Sequence, residues 1–271
     1  SDNGRQGTGG VAWRDDDNAV ELAAQRVAID DRETGGGETV VPSGYESRGV
    51  NLMTRHRLAR GGEWRLLAQH LEQPSTPRVD ELVPGYGQVE PSSSLFEFSP
   101  NARTFLGLAF EPAVERPWAD RAQLQVGWQR IDDDRKIRDF GSPLLFTEQN
   151  RSDLYSASLV LAKRWSAAHR TRYGMDLTHD EVQSARQLTA GDAEPAVVGA
   201  RFPDGSQVSS AALFLTHAWS PAAGTSIELG GRYSRYRVEL AATAVDPGAQ
   251  LEPDDLSLQL GLRQEVGRGF T

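Results

Sequence analysis

The sequence predicts an all-β fold, an antiparallel up-and-down transmembrane β-barrel of which this chain supplies about 11 strands. Three observations carry the prediction. Apolar and polar side chains alternate, short and long connections alternate, and tryptophans collect at the short connections. The first is clearest at 256–263, where every second residue is leucine. Because residues i and i+2 share one face of a strand, such a segment has an apolar face and a polar face.

The alternating segments are long. A tilted barrel strand needs about 9–11 residues to cross the lipid, whereas strands of globular proteins usually have about five or six. The predicted strands span 5–13, 19–31, 45–58, 64–73, 100–111, 121–137, 153–164, 170–180, 207–218, 225–240 and 254–266. Their lengths favour a membrane-spanning barrel.

The connections alternate in length along the chain. Short ones are predicted at 14–18, 59–63, 112–120, 165–169 and 219–224, and long ones at 32–44, 74–99, 138–152, 181–206 and 241–253. Outer-membrane barrels have short periplasmic turns and longer extracellular loops. The pattern therefore places the short connections in the periplasm.

Tryptophan supplies the third observation. Five of the six tryptophans adjoin the short connections, and an indole is stable at a membrane interface because its ring is apolar and its N–H reaches water. We therefore predict one interfacial girdle at the periplasmic rim. Its members are Trp13, Trp64, Trp118, Trp165 and Trp219.

Composition excludes several classes. The chain has 271 residues, and 29 Lys+Arg against 38 Asp+Glu give a net charge of −9, which disfavours a nucleic-acid partner. It has no apolar run of the roughly 18 residues that a transmembrane helix needs. Its lack of cysteine argues against a small disulfide-stapled domain. Eleven strands is an odd count, whereas single-chain bacterial barrels have even counts. Either the predicted number is off by one strand or the barrel continues beyond this chain, and we expect a fragment.

Short motifs carry a family resemblance. They are SGYESR at 43–48, STPRVDEL at 75–82, RTF at 103–105, RFPDGS at 201–206 and GRGF at 267–270. With the strand and loop pattern, they make the chain similar to TonB-dependent outer-membrane receptors, and most similar to the hemoglobin/heme-type receptors. The resemblance implies a barrel of about 22 strands in the outer membrane of a Gram-negative bacterium, plugged by an N-terminal globular domain.

The resemblance also implies a function. Such a receptor takes up a scarce nutrient, such as heme or an iron–siderophore, from outside the cell or from a heme-carrying protein, with energy from the TonB–ExbB–ExbD complex. Residues 1–271 would be one partial barrel domain in contact with lipid and lipopolysaccharide. The plug, the TonB box and the C-terminal half of the barrel would be missing, so no heme-ligand histidine is transferred to this chain.

Long loops on a rigid scaffold are where ligand contacts are expected. Loop 74–99 contains Arg78 and Tyr86, and loop 181–206 contains Arg186 and Arg201. The planar guanidinium of arginine suits anionic chelates because it pairs with carboxylates in a fork. We predict these four as ligand-binding residues, against the alternative that each is an ordinary loop residue.

No motif predicts catalysis, a metal site or a cofactor. The chain has no G-x-S-x-G nucleophile elbow, no cysteine and no zinc-binding spacing. His179 lies beside Asp176, Asp180 and Glu181, and this group could hold a cation. The alternative, which we favour, is that these are solvated residues at the rim of the barrel. We predict that the protein is not an enzyme.

Two alternatives share part of the pattern. A porin or an autotransporter translocator would show the same strands, loops and girdle, without plug or TonB box. A soluble all-β binding protein would be a detergent-free monomer with no tryptophan girdle.

Overall fold

The computed structural model describes residues 3–243 and 247–265, which form one antiparallel sheet of 14 strands and a separate two-stranded hairpin. The motif at 267–270 lies outside the described residues. Among the residues that are described, no helix is both long enough and apolar enough to cross a membrane.

Eleven long strands make up the wall, in agreement with the predicted number. They are β1 Gly4–Arg14, β2 Asn18–Ile29, β3 Tyr45–Arg57, β4 Gly62–Gln73, β5 Ser93–Arg116, β6 Ala119–Asp139, β7 Leu144–Arg164, β8 His169–Ala190, β9 Ser206–Ala222, β10 Thr225–Leu240 and β11 Asp254–Gln264. The connections hold the short strands Arg32–Glu33, Thr39–Val40, Thr76–Pro77, Ala196–Val198 and Ala249–Leu251, and one helix, α1, at Val79–Leu82.

Each wall strand pairs antiparallel with the strand before it and the strand after it. This up-and-down order confirms the predicted fold class. Within the described ranges β1 and β11 do not pair with each other, so the sheet is open.

Connections sort by length onto the two ends of the sheet. Those at 15–17, 58–61, 117–118, 165–168 and 223–224 are short and define the turn end. Those at 30–44, 74–92, 191–205 and 241–253 are long and define the loop end, together with 140–143. The predicted alternation is confirmed for every connection except that one.

The predicted long loop at 138–152 is wrong. Strand β6 runs to Asp139 and β7 begins at Leu144, so a tight turn joins them, with Gly141 at φ 71°. The loops predicted at 74–99 and 181–206 are also too long, because β5 begins at Ser93 and β8 continues to Ala190. At this end both faces of the strands carry charged and polar side chains beside a few apolar ones, so the regular alternation stops although the backbone pairing continues.

The two faces of the wall differ sharply. Directly paired residues of antiparallel strands share a face, so the register assigns every side chain. Large apolar side chains of one face are partly or largely exposed, with Leu215 at 51% and Leu258 at 80%. This apolar face carries Leu22, Leu52, Leu66, Leu106, Leu108, Leu124, Val126, Leu159, Leu177, Leu213, Leu215, Leu229, Leu256, Leu258, Leu260 and Leu262. The opposite face, the polar face, carries mainly charged, hydroxyl and amide side chains.

The apolar face forms a band of defined height. At the turn end His169 pairs with Trp219, and at the loop end His179 pairs with Tyr155, which pairs with Trp128. Along β8, the ten residue steps from His169 to His179 cover roughly 33 Å at about 3.3 Å each. A strand tilt of about 40° reduces this to a height of roughly 25 Å, which is the apolar height typical of outer-membrane barrels.

Candidate functional site

Glu148 is the centre of a cluster on the polar face at the loop end. It lies on β7, where its side chain is only 2% exposed. Its cross-strand partners are Arg135 on β6 and Arg186 on β8, so the register alone places one carboxylate between two guanidinium groups. Arg201 approaches from the connection after β8, with Nη1 3.5 Å from Glu148 Oε2. A buried carboxylate needs such partners because desolvation strongly disfavours its charge.

The contact between Arg186 and Glu148 is an ion pair. Arg186 Nε lies 3.2 Å from Glu148 Oε1, yet this buried N–H has no acceptor in hydrogen-bonding geometry. Its guanidinium instead stacks 4.0 Å from the centre of the Phe146 ring. Attraction to a π face is strongest where water is excluded, so stacking and pairing together fix this side chain.

Each remaining arginine of the cluster also covers a phenylalanine. Arg135 lies 5.0 Å from the centre of the Phe98 ring and is ion-paired with Asp133. The hydrogen bond to Asp133 raises the pKa of Arg135. Arg201 lies 5.9 Å from the ring of Phe202. We call Glu148, Arg135, Arg186, Arg201 and the stacked Phe146 the loop-end cluster.

Hydrogen bonds attach the segment that carries Arg201 to the wall. Ser184 Oγ on β8 donates to Asn150 Oδ1 at 2.7 Å and accepts from the Phe202 backbone N–H at 3.3 Å. The Ser184 backbone N–H donates to Asp204 Oδ1 at 2.8 Å. Because Phe202 and Asp204 are both hydrogen-bonded to β8, Arg201, which directly precedes Phe202, is held beside Glu148.

Arg78 reaches the same rim from the connection before β5. Its backbone N–H donates to Phe96 O at 2.8 Å, and its guanidinium lies 5.0 Å from the Phe96 ring. Phe96 and Phe146 are both cross-strand partners of Ile137. Tyr86 does not join this group, because its side chain is fully exposed in the connection 74–92.

Three of the four predicted ligand-binding residues therefore lie at one rim. The prediction was wrong about Arg186 in one respect, since it lies on strand β8 and not in a loop. Nothing in the sequence indicated that Glu148 and Arg135 belong to this cluster. Glu148 fell in a predicted loop, and its partners follow from the register of β6, β7 and β8.

The arginines of the cluster still have guanidinium N–H groups that could donate hydrogen bonds to an anion. A guanidinium has five N–H donors, and the ion pairs with Glu148 occupy only part of this capacity. The side chain of Arg201 is 41% exposed and that of Arg186 is 31% exposed. The arrangement offers oriented cationic donors beside aromatic surface, which suits a ligand with both acidic and planar apolar parts.

The group around His179 does not assemble. His179 is on the apolar face, where Nδ1 lies 2.9 Å from Ser209 Oγ and the ring stacks against Tyr155. Asp176 and Asp180 are on the polar face, bonded to Ser158 and Ser152. Among the described residues, no three His, Cys, Asp or Glu side chains are placed to hold a metal ion.

Tryptophans occupy both edges of the apolar band. Trp13 is the last residue but one of β1, Trp64 is the third residue of β4, and Trp219 is near the end of β9. Trp118 and Trp165 lie in turns, so all five are at the turn end. The sixth, Trp128, lies at the opposite edge. Its Nε1 donates to Asp153 Oδ1 at 2.9 Å, and Asp153 also pairs with Arg130. On this face, the aromatic pair Trp128–Tyr155 is therefore followed directly by the charged pair Arg130–Asp153.

Comparison with known families identifies the chain. A family model described as "TonB dependent receptor-like, beta-barrel" matches residues 44–263. The chain belongs to the TonB-dependent receptors. A search of curated proteins finds no match.

Solved structures of similar fold agree with this family. The "Copper transporter OprC" has a TM-score of 0.75 at 14% identity, over 99% of this chain and 44% of its own. The FrpB iron transporter of Neisseria meningitidis has a TM-score of 0.72 at 12% identity, over 98% and 42%. The hemophore receptor HasR of Serratia marcescens, solved with HasA and heme, has a TM-score of 0.67 at 15% identity, over 97% and 40%. This chain thus spans less than half the length of each.

In this TonB-dependent receptor the long connections and the loop-end cluster lie at one end of the wall, and the tryptophan-rich turns lie at the other. The predicted all-β barrel family is confirmed, while porins, autotransporter translocators and soluble sandwiches do not fit the family match. Family and structural neighbours are transport receptors.

Proposed function

We propose that this chain is part of the barrel of a Gram-negative outer-membrane receptor that takes up a scarce nutrient with energy from TonB–ExbB–ExbD. The observation that carries the proposal is the apolar band, roughly 25 Å high and edged by tryptophans on the lipid-facing side. A wall with exposed leucines on one face and charged residues on the other requires lipid outside and a polar interior. The receptor performs no covalent chemistry in this proposal.

The tryptophans at the two edges then act as interfacial anchors. Trp13, Trp64, Trp118, Trp165 and Trp219 meet the periplasmic interface, and Trp128 meets the opposite one. Indole rings at these depths stabilise the position of the barrel because they satisfy both apolar and polar surroundings. The charged residues beyond Trp128 on the same face would contact lipopolysaccharide.

For ligand binding we propose the loop-end cluster together with Arg78. Their guanidinium groups would bind carboxylates or other anionic groups of the nutrient, and the phenylalanine rings would contact its planar parts. Tyr86 is free in its loop to add a contact. An iron–siderophore and heme both fit this description, and heme could arrive on a carrier protein. The proteins of similar structure include a copper transporter, a hemophore receptor and an iron transporter, and they support nutrient uptake as the class of function.

Uptake by cells tests the proposal. The gene that encodes the full receptor is deleted, and growth is measured with heme, a ferric siderophore or limiting copper as the sole source of the metal. We expect loss of growth on one of these, restored by the gene and abolished again by deletion of tonB. Uptake that continues at full rate without TonB would overturn the proposed mechanism.

A further inference from the structure

Two histidines are hydrogen-bonded to each other on the apolar face at the turn end. His169 begins β8 and His217 lies on β9, with His169 Nδ1 3.1 Å from His217 Nε2. The second nitrogen of His217, Nδ1, lies 2.9 Å from Thr171 Oγ1, which accepts the indole N–H of Trp165 at 2.8 Å. These four side chains form one hydrogen-bonded chain that ends at His169 Nε2. We call Trp165, Thr171, His217 and His169 the histidine relay.

The direction of the hydrogen bonds in the histidine relay follows from its donors. An indole N–H only donates, so Thr171 Oγ1 accepts from Trp165 and donates its own O–H to His217 Nδ1. A neutral imidazole has one donor and one acceptor, so His217 donates through Nε2 to Nδ1 of His169. The N–H of His169 is then at Nε2. In the opposite direction, the Thr171 hydroxyl proton would have no acceptor among the described residues.

A further proton on the histidine pair does not change this result. An imidazolium donates through both nitrogens, so His169 Nε2 is a donor whichever ring carries the charge. The ring of His169 also stacks on Trp219, with 6.1 Å between the ring centres and 7° between the planes. Within the described part of the chain, no residue accepts a hydrogen bond from His169 Nε2. A partner for this N–H therefore has to come from outside the wall.

The surroundings of His169 are those expected at a membrane interface. His169 directly follows the short turn at 165–168, and the side chains of Trp165 and Trp219 beside it are largely exposed on the apolar face. Indole rings lie at the level of the lipid headgroups. Farther into the apolar band on β9, Leu215 and Leu213 are exposed on the same face. The free N–H thus lies at headgroup depth, next to surface that suits acyl chains.

The charges near the relay are compatible with an anion. Lys163 is the cross-strand partner of Thr171 on β7 and lies on the same face. Its Nζ donates to Asp120 Oδ1 at 2.6 Å and to Arg116 O at 3.1 Å. It therefore neutralises the neighbouring carboxylate and retains one of its three N–H donors. On the side of β10 the face is apolar, at Ile227.

The other histidine of the turn end shows that this arrangement is specific. His56 lies beside Trp64, with 5.7 Å between the ring centres, and its Nδ1 is 2.6 Å from Asn18 Oδ1. The amide nitrogen of Asn18 donates to Asp15, which leaves the Asn18 oxygen as the acceptor for His56. Neutral His56 therefore donates through Nδ1 and presents a lone pair at Nε2. Two histidines beside tryptophans at one rim thus present opposite groups, an acceptor at His56 and a donor at His169.

We propose that the histidine relay binds the phosphate group of a phospholipid in the periplasmic leaflet, with His169 Nε2–H as the donor. A phosphodiester has negatively charged acceptor oxygens, and hydrogen bonds to such oxygens are the stronger ones. Thr171 and His217 are positioning residues, since they act by holding the proton of His169 at Nε2. The acyl chains would lie on Leu215 and Leu213. The proposal rests on the outer-membrane location proposed above and does not depend on which nutrient is carried.

Native mass spectrometry of the full-length receptor tests the proposal. The receptor is released from detergent micelles that contain phosphatidylglycerol or a phosphate-free galactolipid with the same acyl chains. At equal lipid concentration, we expect one more molecule of phosphatidylglycerol than of galactolipid to be retained. His169→Phe leaves a ring on Trp219 without the donor, so the affinity for phosphatidylglycerol should fall about tenfold, as for the loss of one hydrogen bond to a charged group. His169→Gln, which has an amide N–H, should recover part of it, and His56→Phe should change nothing.

Several outcomes would overturn the proposal. They are equal retention of the two lipids, and undiminished preference for phosphatidylglycerol in a folded His169→Phe receptor. Binding of radiolabelled inorganic phosphate without any preference between the lipids would do so too, because it indicates a site for a free anion. Heat-modifiable gel mobility reports folding, and Thr171→Val, which should weaken retention less, is used if His169→Phe misfolds. A receptor that retains neither lipid would contradict the outer-membrane location as well.

Nitrogen-15 NMR of the histidine-labelled receptor tests the proton positions directly. We expect a proton on Nε2 of His169 and of His217, and on Nδ1 of His56, with the signals assigned from single variants. Phosphatidylglycerol should shift the Nε2 signal of His169 and leave that of His56 in place. A His169 Nε2 without a proton in the lipid-bound receptor would overturn the proposal, because it could not donate to phosphate.

Discussion

Two sets of arginines lie at opposite ends of the polar face of β6 to β8, and one member of the loop-end set, Arg201, reaches this face from the connection after β8. At the loop end, Arg135, Arg186 and Arg201 surround the buried carboxylate of Glu148, and each covers a phenylalanine ring. At the turn end, a groove on the polar face, the turn-end groove, is lined by the exposed arginines Arg121, Arg164, Arg170 and Arg172. Among the described residues, none of these four has a carboxylate within 4.0 Å of its guanidinium nitrogens, although Asp120 and Glu228 line the same groove. The residue type and the face of the wall are the same, so the difference is in the partners that the wall supplies.

This difference separates two uses of arginine. An ion pair with a buried carboxylate, backed by an aromatic ring, fixes a side chain, and removing one partner destabilises the wall because it leaves a buried charge without its counter-charge. An unpaired arginine contributes little to the stability of the wall and remains available to another molecule or segment. We therefore expect substitutions in the loop-end cluster to change folding, and substitutions in the turn-end groove to change association.

The largest expected effect is that of Glu148→Gln. It removes the shared partner of the cluster and leaves partly buried guanidinium groups without a counter-charge. Removing one member of a buried pair costs about 3–5 kcal/mol. We expect about 3 kcal/mol here, because Arg186 and Arg201 keep about a third of their exposure and water screens them in part. The free energy of unfolding of the full-length receptor in urea and detergent measures it.

Arg172→Gln in the turn-end groove is the matched test of the comparison. Since the wall provides this arginine with no partner, the free energy of unfolding of the barrel should change by no more than about 0.5 kcal/mol. Equal destabilisation by the two variants would contradict the distinction between paired and unpaired arginines.

An arginine introduced in the middle of a strand tests whether an unpaired positive charge is tolerated anywhere on the polar face or only at the strand ends. Leu124 and Gln125 are neighbours on β6 and face opposite sides, Leu124 on the apolar face. Leu124→Arg should destabilise the barrel by about 2 kcal/mol in lipid, because a cation near the membrane centre loses its hydration. Gln125→Arg should cost much less. Refolding titrations in lipid vesicles measure both, and similar values would argue against a lipid-facing apolar band.

Ligand affinity tests the loop-end cluster as a binding site. Arg201→Gln should weaken binding of the transported ligand about tenfold, which corresponds to about 1.4 kcal/mol, because it removes a guanidinium held over the rim. Arg237→Gln is the control, since Arg237 is also ion-paired, with Glu239, but lies on the opposite face. Titrations of the full-length receptor with heme and, separately, with a ferric siderophore supply the affinities. If both variants bind equally well, the cluster is not the ligand site.

Periodicity and connection length predicted most of the fold. Alternation at 121–129 and 170–178 located β6 and β8, because a wall with lipid on one side must alternate wherever it crosses the membrane. The same signal failed beyond the band. Residues 147–152 are charged or polar on both faces, so nothing in their pattern distinguishes a hydrated strand from a loop, and backbone pairing with β6 and β8 decides it.

The sites were predicted less completely, for a related reason. Arginine in a long connection indicated Arg78, Arg186 and Arg201 because of side-chain chemistry alone. Glu148 and the turn-end groove depend on which residues face each other across strands, and a shift of one residue in register would reverse the faces. Sequence alone does not give that register, so the pairing state of each arginine became visible only in the structure.

The smallest expected effect concerns a carboxylate that the loop end satisfies without any arginine. Asp31 Oδ1 accepts the backbone N–H groups of Ser43 at 2.6 Å and Gly44 at 2.7 Å. These hydrogen bonds lower the pKa of Asp31 below its ordinary value of 3.8. Because the folded pKa is depressed, the contribution is fully present above about pH 4 and is lost as the pH falls through the lowered pKa.

Hydrogen exchange resolves this small effect at single amides. Protection of the Ser43 and Gly44 amides, relative to an unstructured peptide at the same pH, should be constant from neutral pH to about pH 4 and decrease below it. Asp31→Ala should remove the protection at every pH, and Asp30→Ala should not. Protection that persists in Asp31→Ala would show that the backbone of the connection 30–44, and not the carboxylate, holds these amides. In that case the Asp31 carboxylate would have no firm partner. The statement that charged groups at the loop end are paired within the wall, unlike the arginines of the turn-end groove, would then be weakened.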